Sequence, residues 1–311
     1  MYIELHTRSA FSFLEGASVP EEFAEACAAH QMPAMALLDR DGVYGAPRFY
    51  FAAKKLNLKA HIGAEITSLL DTPSNQKIVG RTTPPISTGA PFLPSVGMSG
   101  ISLPRISLLC ASRTGYQNLC RLITRTKLRA PKYPAPISKR IQPTDDLILQ
   151  SQALASPNDL AEYADGLICI TGGEEGPLAH ALDHGGIAGA RRALEQLISI
   201  YGDENIYVEL QRHYNREQEA RNQAAISLAR SLGLPLLAAQ GAQYAKPEER
   251  QILDVFTCIR NHCKLDTAGR LLARNSERYI KAPREMLRLF ADLPEATANT
   301  LELSSRLEFT L

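Results

Sequence analysis

MYIELHTRSAFSFLEG, residues 1–16, is the stretch whose reading decides the fold. Ile3 and Leu5 share one face with Glu4 opposite, enough for a first strand. That strand runs straight into His6, then Arg8 and Ser9, with an acid following at Glu15. A ligand-type residue at a strand end, followed by polar residues and an acid, is how an α/β barrel builds a site, because the carboxyl ends of its strands converge on one face.

Working outward, Ser18-Val19-Pro20-Glu21 reads as a capping box with proline in the first turn, so a helix starts there, with Phe23, Ala26, Cys27 and His30 on one face. The short apolar run Ala34 to Leu38, bounded by Pro33 and Asp39, suits a buried parallel strand. It ends in the turn Asp39-Arg40-Asp41-Gly42. A helix over 46–56, a strand over 59–66, a strand over 105–111 and a helix over 115–128 follow. Further strands are expected at 167–171, 205–211 and 234–239. Between them lie a short helix at 177–182 and longer ones at 187–201 and 216–232. Past residue 245 only helices are expected: 247–262, 267–273, and 283–301 broken near Pro294. Residues 71–104, rich in Pro, Ser, Thr and Gly, have no sustained period and read as an irregular insertion, either a lid or domain contact or a tolerated surface excursion. Seven strands alternating with helices, without a repeated hairpin signal, fit an open doubly wound sheet or a closed barrel.

Composition narrows the function classes. Hydrophobic residues at 45% supply a core, and a formal net charge of +1 leaves any basic footprint to local sequence. No apolar run reaches the roughly 20 residues that span a bilayer, and the first strand leaves no room for a signal peptide, so a cytoplasmic protein without membrane contact is expected. The six cysteines show no CxxC pair and read as reduced core residues. Cys258, His262 and Cys263 form a candidate helical metal cluster, a short pattern of a kind that often matches by accident. From Ser112 to Pro143 the chain carries eight Lys or Arg and no acid, with Tyr133 inside. Arg121, Arg125, Lys127, Arg129 and Lys132 are the candidate contacts to a phosphate backbone; a solvated charged face is the plainer reading. Gly172-Gly173 before a helix is a weak phosphate signal.

The opening motif, together with ELH, SAFSFLEGAS, DRDGVYG, LLCASRTGYQNLCRLITR, GLICITGG, NIYVELQRH and ERYIKAPREM, resembles the PHP domain that begins bacterial DNA polymerase III alpha subunits, in particular their error-prone branch. The resemblance covers essentially the whole chain. It implies a distorted seven-stranded (β/α)7 barrel of the PHP type, and so decides between the two α/β architectures. It also implies a PHP barrel at 1–245 and a helical extension at 246–311 leading toward a polymerase domain that this chain lacks.

In that family the strand ends hold a cluster of metal ions in histidine and carboxylate ligands, which activate water for phosphoester cleavage. Here His6, Glu15 and Glu65 match ligand positions, and Asp39 and His213 complete a candidate remnant. Arg8 stands where the family has its second histidine and Arg40 where a histidine follows Asp39. Ile106 or a neighbour, Gly173, and Gly241-Ala242-Gln243 occupy the remaining ligand positions. Arginine stays protonated and only donates, so it cannot ligate a metal. Arg8 and Arg40 are therefore expected to supply the positive charge that the metals supply elsewhere, pairing with Glu15, Asp39 and Glu65. The implied role is structural or interaction work in DNA replication or translesion synthesis. The implied partners are polymerase domains of the same or a related alpha subunit and DNA. No cofactor is expected; if one binds, it is a divalent metal, Zn, Mn or Fe. The competing expectations are a metal-dependent phosphoesterase or 3′-5′ proofreading exonuclease, and a nucleic-acid-binding module.

Overall fold

A computed structural model describes residues 1–70, 103–130 and 153–311. Seven strands form one sheet in sequence order: β1 (Glu4–Thr7), β2 (Ala34–Arg40), β3 (Lys59–Thr67), β4 (Arg105–Cys110), β5 (Leu167–Ile170), β6 (Ile206–Leu210) and β7 (Leu236–Ala238). The sheet curls until its edges meet: Arg8 N–H donates to the Ala242 carbonyl at 2.9 Å and Ala242 N–H to that of His6 at 3.1 Å, a parallel bridge between the end of β1 and the segment after β7. The expected barrel architecture is present.

One strand departs from the expected all-parallel order. β4 runs antiparallel to both neighbours, with Thr67 opposite Arg105 and Ser107 opposite Ile170. Its amino end therefore joins the carboxyl ends of the other strands, and Arg105, rather than the far end of the strand, reaches that rim. Ile106, expected near a vacated ligand position, points the other way into the sheet–helix core.

Helices cover the outer face: α1 (Pro20–Ala29), α2 (Ala46–Lys55), α3 (Arg113–Arg129), α4 (Pro157–Glu162), α5 (Pro177–Tyr201) and α6 (Arg216–Leu232), followed by α7 (Arg250–Arg260), α8 (Pro283–Leu289) and α9 (Pro294–Arg306). Strand alternation divides the apolar side chains into two layers. Ile62, Ala64, Ile106, Leu108, Val208 and Leu210 face the helices, whereas Leu5, Leu38, Leu109, Ile168, Ile170 and Leu237 fill the barrel. α5 is interrupted at Gly186, whose φ of 58° suits glycine, which matches the expectation of two helices on either side of that position.

α9 closes the base of the barrel. Leu303 and Leu307 enter the inner core, Thr300 Oγ1 accepts from Ile3 N–H at 3.2 Å, and Ser304 Oγ lies 2.7 Å from His61 Nε2. Phe309 then stacks on Tyr116 of α3, with ring centroids 4.6 Å apart. Burial lowers the His61 imidazole to about 3, so it stays neutral as a structural contact.

Two local expectations need correction. α1 begins at Pro20 as expected, but Val19 is the capping residue, with the Glu22 carboxylate accepting its N–H at 2.9 Å; Ser18 instead accepts from Ala245 N–H at 2.7 Å and donates to Glu249 at 2.5 Å. The serine is used to tie the first loop to the segment after β7, which outcompetes capping. The helix expected over 267–273 is two separate single turns of 3₁₀ helix, Leu265–Thr267 and Gly269–Leu271, since Gly269 adopts φ 53° and ends any continuation. The insertion expected over 71–104 lies, apart from Leu103 and Pro104, outside the described residues.

Candidate functional site at the barrel mouth

β1 carries a register irregularity, with three steps from Glu4 to Thr7 matched by two from Met35 to Leu37 on β2. A bulge of this kind changes side-chain alternation. Leu5 enters the barrel core and the next residue, His6, also turns inward. Its Nε2 lies 2.7 Å from Glu65 and its Nδ1 2.8 Å from Glu209 on β6. Burial opposes protonation of the ring, but Glu209 and then Glu65 overcome it and raise His6 to about 10. The ring is an imidazolium with both nitrogens donating.

Arg8, 6% exposed, places its guanidinium among three carboxylates. Its Nη2 lies 2.7 Å from Glu65 and 2.5 Å from Glu175, and Nη1 is 3.4 Å from Glu15. Arg105 lies beside it, with Nη1 2.7 Å from Glu15 and 3.1 Å from Glu175. Glu15 also pairs with Arg40 and, at 3.1 Å, with Arg260 at the end of α7, so four arginines meet one carboxylate. Burial would raise Glu65, yet Arg8, then His6 and Arg105, hold it down at about 2. Glu15 is likewise lowered against its burial, first by Arg105 and then by Arg8 and Arg40.

The expected site residues thus fall into two groups. His6, Arg8, Glu15, Arg40 and Glu65 belong to one ion-pair cluster. Asp39 does not pair with an arginine as expected: its carboxylate accepts from Ser9 N–H and Oγ–H, Ser12 Oγ–H and Gly45 N–H at 2.8–3.1 Å, tying together the loops after β1 and β2. Arg40 turns instead to Glu15 and Asp41. His213 also stands apart from the expected remnant. Its Nε2 donates to the Gln240 carbonyl at 2.7 Å, its Nδ1 faces the Gln218 amide at 3.0 Å, and burial, then the charge of Arg278, lower it to about 3.

Sequence reasoning missed Arg105, Glu175, Glu209 and Arg260. Glu209 was detectable: along NIYVELQ, Tyr207, Glu209 and Gln211 alternate with the apolar Ile206, Val208 and Leu210, which aims a carboxylate into a barrel. Gln211 matters for a further reason. A Cβ at Gly173 or at Gly241 would lie within 2.4 Å of its amide, so Gln211 fills the space that side chains at those two positions would need. It also donates to Glu209 at 2.6 Å.

Over this cluster opens a cavity of about 220 Å³, lined by Arg8, Glu15, Glu65 and Arg105 below and by Arg260 and Arg278 at its lip. The donor set does not fit a divalent metal. Both His6 nitrogens are engaged by Glu65 and Glu209, and guanidiniums already occupy the Glu15 and Glu65 oxygens. Among the described residues, no three His, Cys, Asp or Glu side chains are grouped so as to hold one. This includes Cys258, His262 and Cys263.

Within the basic stretch, Arg125 and Arg129 are paired with carboxylates. Arg129 forms a two-pronged pair with Asp159 at 2.7 and 2.8 Å, Arg125 pairs with Asp159 at 3.1 Å and with Glu162, and Lys127 sits over the Tyr44 ring. Arg121 reaches only Asn118, at 3.4 Å, and Lys132 lies outside the described residues.

Residues 4–213, from β1 through the loop that follows β6, match the family model described as PHP domain. The chain belongs to the PHP domain family. The chain is similar over all of its 311 residues to the error-prone DNA polymerases of Mycolicibacterium paratuberculosis and Mycobacterium tuberculosis, each 33% identical and each matched over 25% of its own length. It is 28% identical to the DNA polymerase III subunit alpha of Borreliella burgdorferi, covering 98% of this chain and 23% of that one. The chain therefore spans about a quarter of the length of these curated relatives. Among solved structures, a Bifidobacterium adolescentis protein with the provisional description metal-dependent phosphoesterase is a distant likeness, at 14% identity and a TM-score of 0.46, covering 92% of this chain and 95% of that one. Among the described residues, no helix is long and apolar enough to cross a membrane.

Proposed function

We propose that this PHP domain has exchanged its metal centre for an ion-pair cluster and serves as a structural and docking platform for the polymerase domains of an alpha-type subunit, in DNA replication or translesion synthesis. The observation that carries the reading is His6, the ligand position that matches the family, held as an imidazolium between Glu65 and Glu209. Arg8 at the second histidine position and Gln211 over Gly173 and Gly241 support it. The length of the relatives supports polymerase domains as partners, with residues 246–311 as the connecting segment and the cytoplasm as the compartment. The pairing of Arg125 and Arg129 with Asp159 and Glu162 weighs against α3 as a nucleic-acid-binding face.

The test is to load the purified protein with Zn, Mn and Fe, remove free metal, and measure bound metal together with phosphate release from a chromogenic ester and 3′-5′ shortening of a DNA primer. The expected result is well under one ion per chain and no turnover. A stoichiometric ion, with turnover abolished by His6→Ala, would establish the phosphoesterase or exonuclease reading instead.

A further inference from the structure

α7 ends in a Schellman turn, in which the chain reverses through one left-handed residue and two backbone bonds satisfy the last carbonyls. His262 supplies the left-handed position at φ 52°, Cys263 N–H donates to the Cys258 carbonyl at 3.1 Å, and His262 N–H to that of Ile259 at 3.3 Å. This turn brings the side chain three positions before the cap against the one two positions after it, a contact usually filled by two apolar groups. Here both positions are cysteine, and their thiols interact directly. Cys258 is buried and Cys263 partly exposed; both are free.

We infer that Cys258 and Cys263 form a reversible redox pair that closes the end of α7 with an intramolecular disulfide. Disulfide formation needs Cβ atoms about 3.5–4.5 Å apart, and the turn sets these two cysteines on facing sides of a single chain reversal. The oxidant is a small-molecule disulfide of the glutathione class. The Cys263 thiolate, the more accessible, attacks one sulfur, forming a mixed disulfide and releasing the first small thiolate. The Cys258 thiolate then attacks Cys263 Sγ and releases the second. Both cysteine protons pass to solvent and on to the two leaving thiolates, so one small disulfide becomes two thiols for each protein disulfide formed. The closed ring contains Arg260, whose guanidinium lies 3.1 Å from Glu15, so oxidation fixes the turn from which α7 reaches the mouth cluster. Cys27, Cys110 and Cys169 are buried in the core, out of reach of a small-molecule disulfide, whereas Cys258 has only to reach its neighbour Cys263.

The experiment equilibrates the whole chain in reduced and oxidised glutathione mixtures, natively and in urea, quenches with acid, alkylates, and maps the peptides by mass. The expected result is a Cys258–Cys263 cross-link that forms in the folded chain at a reduced-to-oxidised ratio about tenfold or more above that needed in urea, and that is lost in Cys263→Ser and in Cys258→Ser. Exchange that stops at a glutathione adduct on Cys263, a cross-link no more favoured in the folded chain than in urea, or two thiols that stay free under oxidising mixtures would each overturn the inference.

Discussion

Arg8→Ala is expected to lower the unfolding free energy by about 3–5 kcal/mol at neutral pH, the cost of leaving a buried ion pair with one partner missing. The size follows from where Arg8 sits. Its guanidinium is enclosed, its partner Glu65 is 2% exposed, and the same nitrogen also reaches Glu175. Without it Glu65 retains His6 and, at 3.9 Å, Arg105, and two carboxylates at the mouth lose one of their shared cations. Arg8→Lys should recover only part of the loss, because a single ammonium cannot reproduce a planar fork between several acids. Arg40→Ala should cost distinctly less. The Arg40 side chain is 18% exposed, and Glu15 keeps Arg8, Arg105 and Arg260 when it is removed. Urea denaturation of the three variants checks this ordering. If Arg8→Ala unfolds at the parent's midpoint, the cluster does not hold the mouth together.

The second large effect is a loss of stability on the alkaline side. His6 titrates near 6.5 in an unfolded chain and at about 10 when folded. A histidine whose folded value is raised contributes stability that is complete below about 6.5 and disappears as pH rises through the folded value. Between pH 7 and 10 the slope should approach about 1.4 kcal/mol per pH unit, one proton's worth. Glu4, which accepts the His6 backbone N–H, is raised by burial to about 7 and so titrates mainly at the acid edge of that window. On the acid side Glu65, held at about 2, contributes stability above about 4.5 that is lost as pH falls toward 2. The two effects share one His6–Glu65 pair and do not add. Denaturation curves from pH 7 to 8.5, below the range in which the buried thiols of Cys27, Cys110 and Cys169 add a slope of their own, should therefore show the alkaline slope in the parent and not in His6→Gln. A parent curve that is flat over that range would contradict the charged state assigned to His6.

Much of this architecture was legible because strands in a barrel of this kind are short and apolar and are bounded by turns. All seven lie within a few residues of where the pattern of Val, Ile, Leu and Ala puts them. Strand direction was not legible. The residues of β4, RISLLC, read the same in either orientation, and the connection that would reveal its direction falls in a stretch without periodicity. Reversing that one strand brings Arg105 to the mouth and carries the other end of β4 away from it. The site divides in the same way. His6, Arg8, Glu15, Arg40 and Glu65 follow β1, β2 and β3 closely in sequence, so motif spacing finds them. Glu175 and Arg260 arrive from a glycine turn and from the end of α7, positions that only tertiary packing brings within 3.1 Å of the cluster. Asp39 shows the limit of charge counting. Beside Arg40 in sequence, it is taken by serine hydroxyls and backbone N–H groups, because the loop geometry presents four donors to it first.

The most direct test of an ion-pair cluster in place of a metal centre is the ¹⁵N NMR of the His6 ring, recorded from pH 6 to 10 with and without added zinc. Two protonated ring nitrogens up to pH 9, unchanged by zinc, are the predicted result. A ring that is neutral at pH 8, or one whose nitrogen signal shifts on a stoichiometric addition of zinc, would show that His6 is still a ligand and that the account of the cluster is wrong.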